Sequence, residues 1–447
     1  MRLRTIVLPL AAAAAALLPL ASPAAARDRW DTRVLAVVPS PGYPAHAYVH
    51  PNGSIYEGTY DNPSGDTVPS RVLEYSSEGA LHRSWTVRGQ DLSQPHGVQA
   101  ATSDARGRLV LLDKSPPRAL LLDMPTGAQL PYAAFPAGSI PNYAAWGPDG
   151  SLYVTDYGRP ILWRVPPGGG DPEQWLADDR LDGGGFGTTG LMLAADRATL
   201  ILAQQSEGGG ASGNPATGRL FGVPIGADGR PGAMTQIWES LPADGPDGFA
   251  IARSGAIYVA LLVANQIAVV GPDGVERERF PRAPGGGDNG STVPFDSPSS
   301  VHFLGTRLIV AQQSFFNGDT SHMALLDVEA GEDGLPEAIP PNAGLKDAVR
   351  PVVKRVHLDA RELRFRLSEA AEVDVLVERS DRRRWTRVRE RFRSLPAGSH
   401  VLLTRRLAGK PRGLRPGKWR VTLVARDSSG NASRTVRRAI RVRSRRR

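Results

Sequence analysis

Two stretches of the chain say nearly the same thing. PNYAAWGPDGSLYVTDYG occupies 141–158 and PDGFAIARSGAIYVA occupies 246–260. Each opens on Pro and a polar residue, runs through apolar positions, reaches a turn Gly nine positions on and ends in an apolar strand. Aligned on that phrase, six copies emerge. They are PAHAYVHPNGSIYEGTY from Pro44, PHGVQAATSDARGRLVLLD from Pro95, PNYAAWGPDGSLYVTDY from Pro141, TTGLMLAADRATLILAQQS from Thr188, PDGFAIARSGAIYVALLV from Pro246 and PSSVHFLGTRLIVAQQS from Pro298. Further short strands lie between copies, such as QIAVVGP and VERERF after the fifth. A repeated phrase with four short strands per unit is the pattern of a β-propeller blade. The N-G, D-G and S-G pairs at 52–53, 149–150 and 254–255 supply hairpin turns.

One blade cannot bury both faces of its sheet, so the fold class expected is all-β. It is a six-bladed β-propeller followed by a small antiparallel β-sandwich. The sixth repeat runs into EAGEDGLPEAIPP without a convincing fourth strand, while RVLAVV (33–38) is a spare strand ahead of the first. The spacing predicts that this strand completes the sixth blade. The propeller is assigned to 27–337, a linker to 338–350 and the second module to 351–447.

Composition bounds the setting. The chain has 447 residues and no cysteine, so disulfides are excluded. Residues 1–26 combine Arg2 and Arg4, an apolar run and Ala24-Ala25-Ala26, which reads as a Sec-type signal peptide and implies secretion. No later segment is apolar for long enough to span a membrane. From Pro351 onward there are 26 Arg and 3 Lys against 9 acidic residues, a net of +20 that leaves residues 1–350 at −11. The segments ELRFRLS, EVDVLVER and KWRVTLVARDSSGNAS alternate as strands and resemble a bacterial immunoglobulin-like or fibronectin-III-like module. Its charge suits an anionic cell-envelope polymer. Its plainer role is Arg on the solvent faces of strands. Nucleic acid is not expected, because stacking aromatics are not interleaved with the basic residues.

Chemistry in a propeller collects where first strands enter and second strands leave, because the two are antiparallel. The entering column reads Ala45, His96, Asn142, Thr189, Asp247 and Ser299. The leaving segments include Thr155-Asp156-Tyr157, Gln204-Gln205-Ser206 and Gln312-Gln313-Ser314. Long loops, LDGGGFGT, EGGGASGNPATG and RAPGGGDNGSTVPFD, fall on this face. Candidate substrate contacts are therefore Asn142, Thr189, His96, Tyr157, Gln204 and Gln312. Tyr143, Phe186, Phe315 and Phe316 are further candidates for a pocket wall, with blade packing as the alternative.

The P-D-G entrance, the turn-Gly-x-LYV phrase and the six-bladed length resemble the regucalcin/gluconolactonase/luciferin-regenerating-enzyme family across roughly residues 33–330. That resemblance implies a divalent ion on the axis and hydrolysis of lactone-type esters. Family members hold the ion with a Glu entering blade 1, an Asn before Gly in blade 4 and an Asp before Gly in blade 5, and an Asn of blade 3 sits beside the substrate. Asp247 matches the Asp, as ligand and catalytic base, and Asn142 matches the third-blade Asn. Asp247 and Asn142 are thus the metal candidates, for Ca²⁺, Mg²⁺ or Zn²⁺. Ala45 and Thr189 depart from the other two positions. A hard cation wants several oxygens with carboxylate charge. His46 and His96 offer a nitrogen-containing alternative suited to Zn²⁺, though each equally suits a structural hydrogen bond. The remaining alternative is a non-catalytic propeller that binds a sugar, a peptide or an envelope component. GFGTTG (185–190) lacks the strand-to-helix setting of a dinucleotide site, and no Gly-x-Ser-x-Gly occurs.

Overall fold

The structure, a computed structural model, describes residues 27–443 apart from 61–64, 66, 185–186, 207–216, 346–349, 382–383, 410–413 and 428–430. The expected signal peptide lies outside the described residues, as do Phe186, much of EGGGASGNPATG and the centre of the DSSGN turn.

Six antiparallel sheets of four strands form the first architecture. Their first strands are Pro44–Val49, Val98–Ser103, Pro141–Trp146, Thr188–Leu193, Pro246–Ile251 and Pro298–Leu304. Each first strand touches the first strand of the next sheet, and the last touches the first. The ring is therefore closed, and the sheets are the six blades of a propeller. Strands such as Thr199–Gln204 are apolar on both faces because a blade is covered on both sides. A separate apolar cluster fills each of the six junctions between neighbouring blades. Trp146 and Leu112 pack between blades 2 and 3, for example, and Ile55 and Ile309 between blades 1 and 6.

The sixth blade is composite. Thr32–Val37 pairs antiparallel with Ala324–Glu329 and forms its outermost strand. Arg27 fixes this strand with ion pairs of 2.7 Å to Asp327 and 2.8 Å to Asp31. Trp30 extends the attachment to blade 5, stacking on Phe280 at 4.7 Å and donating to Glu278 Oε1 at 2.6 Å.

After the sixth blade the chain does not leave the propeller at once. Leu335 N donates to Ile251 O of blade 5 at 2.8 Å, and Tyr48 Oη of blade 1 donates to Glu337 Oε2 at 2.9 Å. Asn342 Nδ2 reaches Asp149 O of blade 3 at 2.7 Å, and Leu345 bridges to Gly168. These partners lie at the far ends of the first strands or in the turns beyond them. The segment thus straps the channel at that end. Burial pushes the Glu337 carboxyl up to about 7, against the donors Thr102 and Tyr48.

The second module has a three-stranded sheet, Val353–Leu358, Glu362–Leu367 and Gly398–Leu403, and a four-stranded sheet, Ala371–Asp381, Arg384–Leu395, Gly417–Arg426 and Val436–Val442. Leu363 and Phe365 of one and Val375, Trp419 and Leu423 of the other share a single core, which makes a small β-sandwich. No helix among the described residues is long and apolar enough to cross a membrane.

The composite blade yields a test. Deleting Thr32–Val37 exposes the backbone of Ala324–Glu329 as an open edge, which recruits other strands. The expected outcome in size-exclusion chromatography is loss of monomer to aggregate, with a lowered Tm in whatever stays soluble.

Candidate functional site: the axial cavity

Strand register decides which side chains meet on the axis. Pro44 faces Thr59, Val98 faces Asp113, Pro141 faces Asp156, Thr188 faces Gln204, Pro246 faces Leu261 and Pro298 faces Gln312. Five of the first strands carry a bulge directly after that residue. A bulge re-aims the side chains beside it, here toward the channel. One step on from each pair lie two rings of residues. The entering ring is Ala45, Gln99, Asn142, Thr189, Asp247 and Ser299. The leaving ring is Tyr60, Lys114, Tyr157, Gln205, Leu262 and Gln313. All of these except Ser299, with Ile140 and Phe315, line one cavity of about 230 Å³.

The structure brings Asp247, Asn142, Thr189 and Tyr157 together in this cavity. It does not bring His96, Gln204 or Gln312 there. His96 has its ring nitrogens 3.0 Å from Gln94 O and 2.8 Å from Val68 O, so it braces loops. Its place is taken by Gln99, because the second blade starts at Val98 and not at Pro95. Gln312 Nε2 donates to His322 O at 2.7 Å and to Pro294 O at 3.0 Å, and Gln204 Nε2 reaches Asp182 O at 3.4 Å. The cavity wall uses the second Gln of each pair, Gln205 and Gln313. Lys114, with its Nζ 5.8 Å from the Tyr60 ring centre, is the cation that the sequence reading missed.

The floor is Tyr143. Its ring lies tilted by 49° against His46 with centroids 4.6 Å apart, and its hydroxyl donates across the axis to Ser299 O at 3.0 Å. Gly248 permits this, since a Cβ there would lie 2.2 Å from Tyr143 Oη and 2.8 Å from Ser299 O. The glycine of the P-D-G phrase is required by close approach. His46 sits under the floor, and burial pushes its ring down to about 3. A zinc site from His46 and His96 is not formed. No cluster of three His, Cys, Asp or Glu suited to a metal exists among the described residues.

The electrostatics centre on Asp247. Burial alone pushes its carboxyl well above the usual range. No charge or hydrogen bond among the described residues offsets that burial. Among the described residues, Asn142 Oδ1 and Gln99 Oε1 are buried acceptors with no partner. Tyr157 Oη donates to Gln205 Oε1 at 2.6 Å, and Thr189 Oγ1 to Asp247 O at 3.2 Å. Burial, and then the nearby Asp247, hold both the Tyr143 and Tyr157 hydroxyls above their ordinary range. The cavity is therefore rich in acceptors that want a donor or a cation.

Two tests follow from this geometry. Gly248→Ala drives a methyl into Tyr143, and the expected loss of stability is about 1–3 kcal/mol, read by chemical denaturation. Asp247 gives a pH signature. Unfolded, it ionises near pH ~4, whereas folded it keeps its proton to higher pH. The native chain thus holds the extra proton, and stability falls as pH rises from the unfolded value toward the folded one. Asp247→Asn removes this loss. Its Tm is expected to exceed that of the unaltered protein at neutral pH, with the gap closing as pH falls to the unfolded value.

The chain matches no protein-family model and no curated protein. Solved structures do resemble it. A calcium-binding regucalcin from Agrobacterium tumefaciens aligns with a TM-score of 0.50 at 16% identity, over 69% of this chain and 95% of that one. A gluconolactonase from Xanthomonas campestris aligns at 0.42 and 18% identity, over 68% and 98%. A luciferin-regenerating enzyme aligns at 0.45 and 14%, over 67% and 96%. The regucalcin match carries the fold, and regucalcin, gluconolactonase and luciferin-regenerating-enzyme β-propellers stand at low identity among the structural neighbours of this chain, beside virginiamycin B lyase from Staphylococcus aureus at a TM-score of 0.42 and 14% identity, over 63% of this chain and 79% of that one.

Proposed function

We propose that the axial cavity takes a small hydroxyl-bearing ester of the lactone type and hydrolyses it with the help of a divalent metal ion. One observation carries this reading. Among the described residues, Asp247 is a buried carboxyl that no charge stabilises, in one cavity with the orphaned acceptors Asn142 Oδ1 and Gln99 Oε1. Buried carboxylates are paired or coordinate metals. All three groups are oxygen donors, the kind that Ca²⁺ and Mg²⁺ prefer. Asp247 and Asn142 would hold the ion. The chemistry such an ion supplies when bound is polarisation of a carbonyl and acidification of a water.

The chain's own residues supply the rest. Asp247 is placed to hold or pass a proton at its carboxyl oxygens. Thr189, Gln99, Gln205 and Gln313 offer amide and hydroxyl groups for the hydroxyls of a substrate. Opening a lactone yields a carboxylate, and the Lys114 ammonium in the wall favours that charge. Ala45 supplies no carboxylate, so ion binding is expected at the weak end, with Kd on the order of 10⁻⁴–10⁻³ M.

Titration calorimetry with Ca²⁺, Mg²⁺ and Zn²⁺, paired with a lactone-hydrolysis assay, tests the reading. Asp247→Asn is expected to abolish ion binding and turnover together. Ala45→Glu, which adds a second carboxylate to the ring, is expected to tighten the ion by about tenfold or more. Undiminished hydrolysis by Asp247→Asn removes Asp247 from the reaction, and no turnover of any lactone by the unaltered protein sinks the hydrolase. A second reading, non-catalytic binding of a neutral sugar, is favoured by the four amide side chains in the wall. Saturable sugar binding without lactone turnover selects it.

The remaining parts fit a secreted protein. The signal-peptide pattern supports export, and the basic sandwich, read as an immunoglobulin-like module, is proposed to attach the propeller to an anionic cell-envelope polymer. Removing residues 351–447 is expected to abolish salt-sensitive retention on such a polymer while leaving hydrolysis intact.

A further inference from the structure

Two phenyl rings stand at the mouth of the cavity, on a braced loop. Phe315 lines the cavity and is 37% exposed, and its neighbour Phe316 is 57% exposed. The two rings meet edge to face at 5.2 Å, with Tyr43 edge-on to Phe315 at 6.5 Å. The loop that displays them is pinned. Asp296, 3% exposed, accepts from Ser314 Oγ at 2.7 Å and from Asn317 Nδ2 at 2.9 Å, and lies 2.9 Å from His322 Nδ1. Ser314 holds a left-handed backbone, φ 49°, which a residue with a side chain adopts at a cost. These contacts brace the loop with both phenyl rings exposed.

The rest of that face agrees. Strand register places Val37, Val68, Leu241 and Val263 at the same end of the blades as the cavity mouth, and all four are exposed. Among the described propeller residues the other large exposed apolar side chains are Leu81 and Val275, both at the opposite end. Phe315 and Phe316 adjoin, and an exposed apolar pair that continues a cavity wall marks a binding surface.

We infer that the ligand of the axial cavity carries an apolar acyl or alkyl substituent, which leaves the polar cavity past Phe315 and lies across Phe316. Phe315 belongs to both surfaces, so polar head and apolar tail are read by one continuous wall. The word ester rests on the hydrolase proposed above. The tail does not, and its test separates the two.

The full-length protein is assayed with lactones bearing acyl chains of increasing length, and with the matching lactams, which bind but are not opened. Each added methylene is expected to lower KM, and the lactam Kd, by about three- to fourfold until the rim is covered. Phe316→Ala, a surface change, is expected to weaken the longest members on the order of tenfold and to leave the unsubstituted lactone unaffected. Phe316→Leu restores most of the loss. No turnover of any lactone, with lactam affinity still rising with chain length and falling in Phe316→Ala, overturns the hydrolase and keeps the tail. Turnover that is indifferent to chain length overturns the tail and keeps the hydrolase. Binding of the protein to uncharged phosphatidylcholine vesicles through Phe316, with no chain-length effect on soluble ligands, also overturns the tail.

Discussion

The backbone pairing of Thr32–Val37 with Ala324–Glu329 joins the two ends of the propeller chain, and the rest of the propeller depends on it. A chain without cysteine has no covalent closure to offer. A blade is stable only when both faces are covered, so a ring left open would expose a blade face on either side of the gap. Six junction clusters, none of them a central core, hold the propeller together. Closure also converts a linear repeat into geometry. Residues that are a blade apart in sequence become neighbours around one axis, and the site exists only because the circle is complete.

The same closure explains the state of the site. Blades that pack tightly outside leave a narrow shaft inside, and among the described residues its wall holds two buried acceptors, Asn142 Oδ1 and Gln99 Oε1, that have no donor. Asp247 bears the full penalty of that position, since no cation among the described residues offsets it. Folding places a carboxyl where water alone would not keep it. Stability is given up locally at a spot where binding can return it. Tyr143 and Gly248 set the depth of the shaft. One spans the axis and the other makes room.

Much of this was legible in the sequence, and the failures have physical causes. The nine-residue interval from strand start to turn Gly marks blades 1, 3 and 5 directly, at Pro44–Gly53, Pro141–Gly150 and Pro246–Gly255. Blade 2 keeps the same interval from Val98 to Gly107, but a proline three residues upstream drew the alignment to His96. Trusting the interval over the proline would have found Gln99. Choosing Gln204 and Gln312 over Gln205 and Gln313 was a parity error. In a strand buried on both faces, apolar patterning does not say which side chain points to the axis. Lys114 had a signal, since Asp113-Lys114 stands where Asp156-Tyr157 does. The strap over the far end had none. Its residues follow no period, and only contact with strand ends and turns of several blades gives it form.

Tyr143 and the strap together make the shaft blind. One crosses it from blade 3 to blade 6, and the other covers its far end from blade 5 to blade 3. Many ring-shaped proteins are tunnels, whereas this one is a well. Whatever goes in must come out by the same opening, past the same two phenyl rings, in the reverse order. A departing molecule and an arriving one would then share that mouth. The rate at which the well empties then belongs to the rim as much as to the carboxyl at its base.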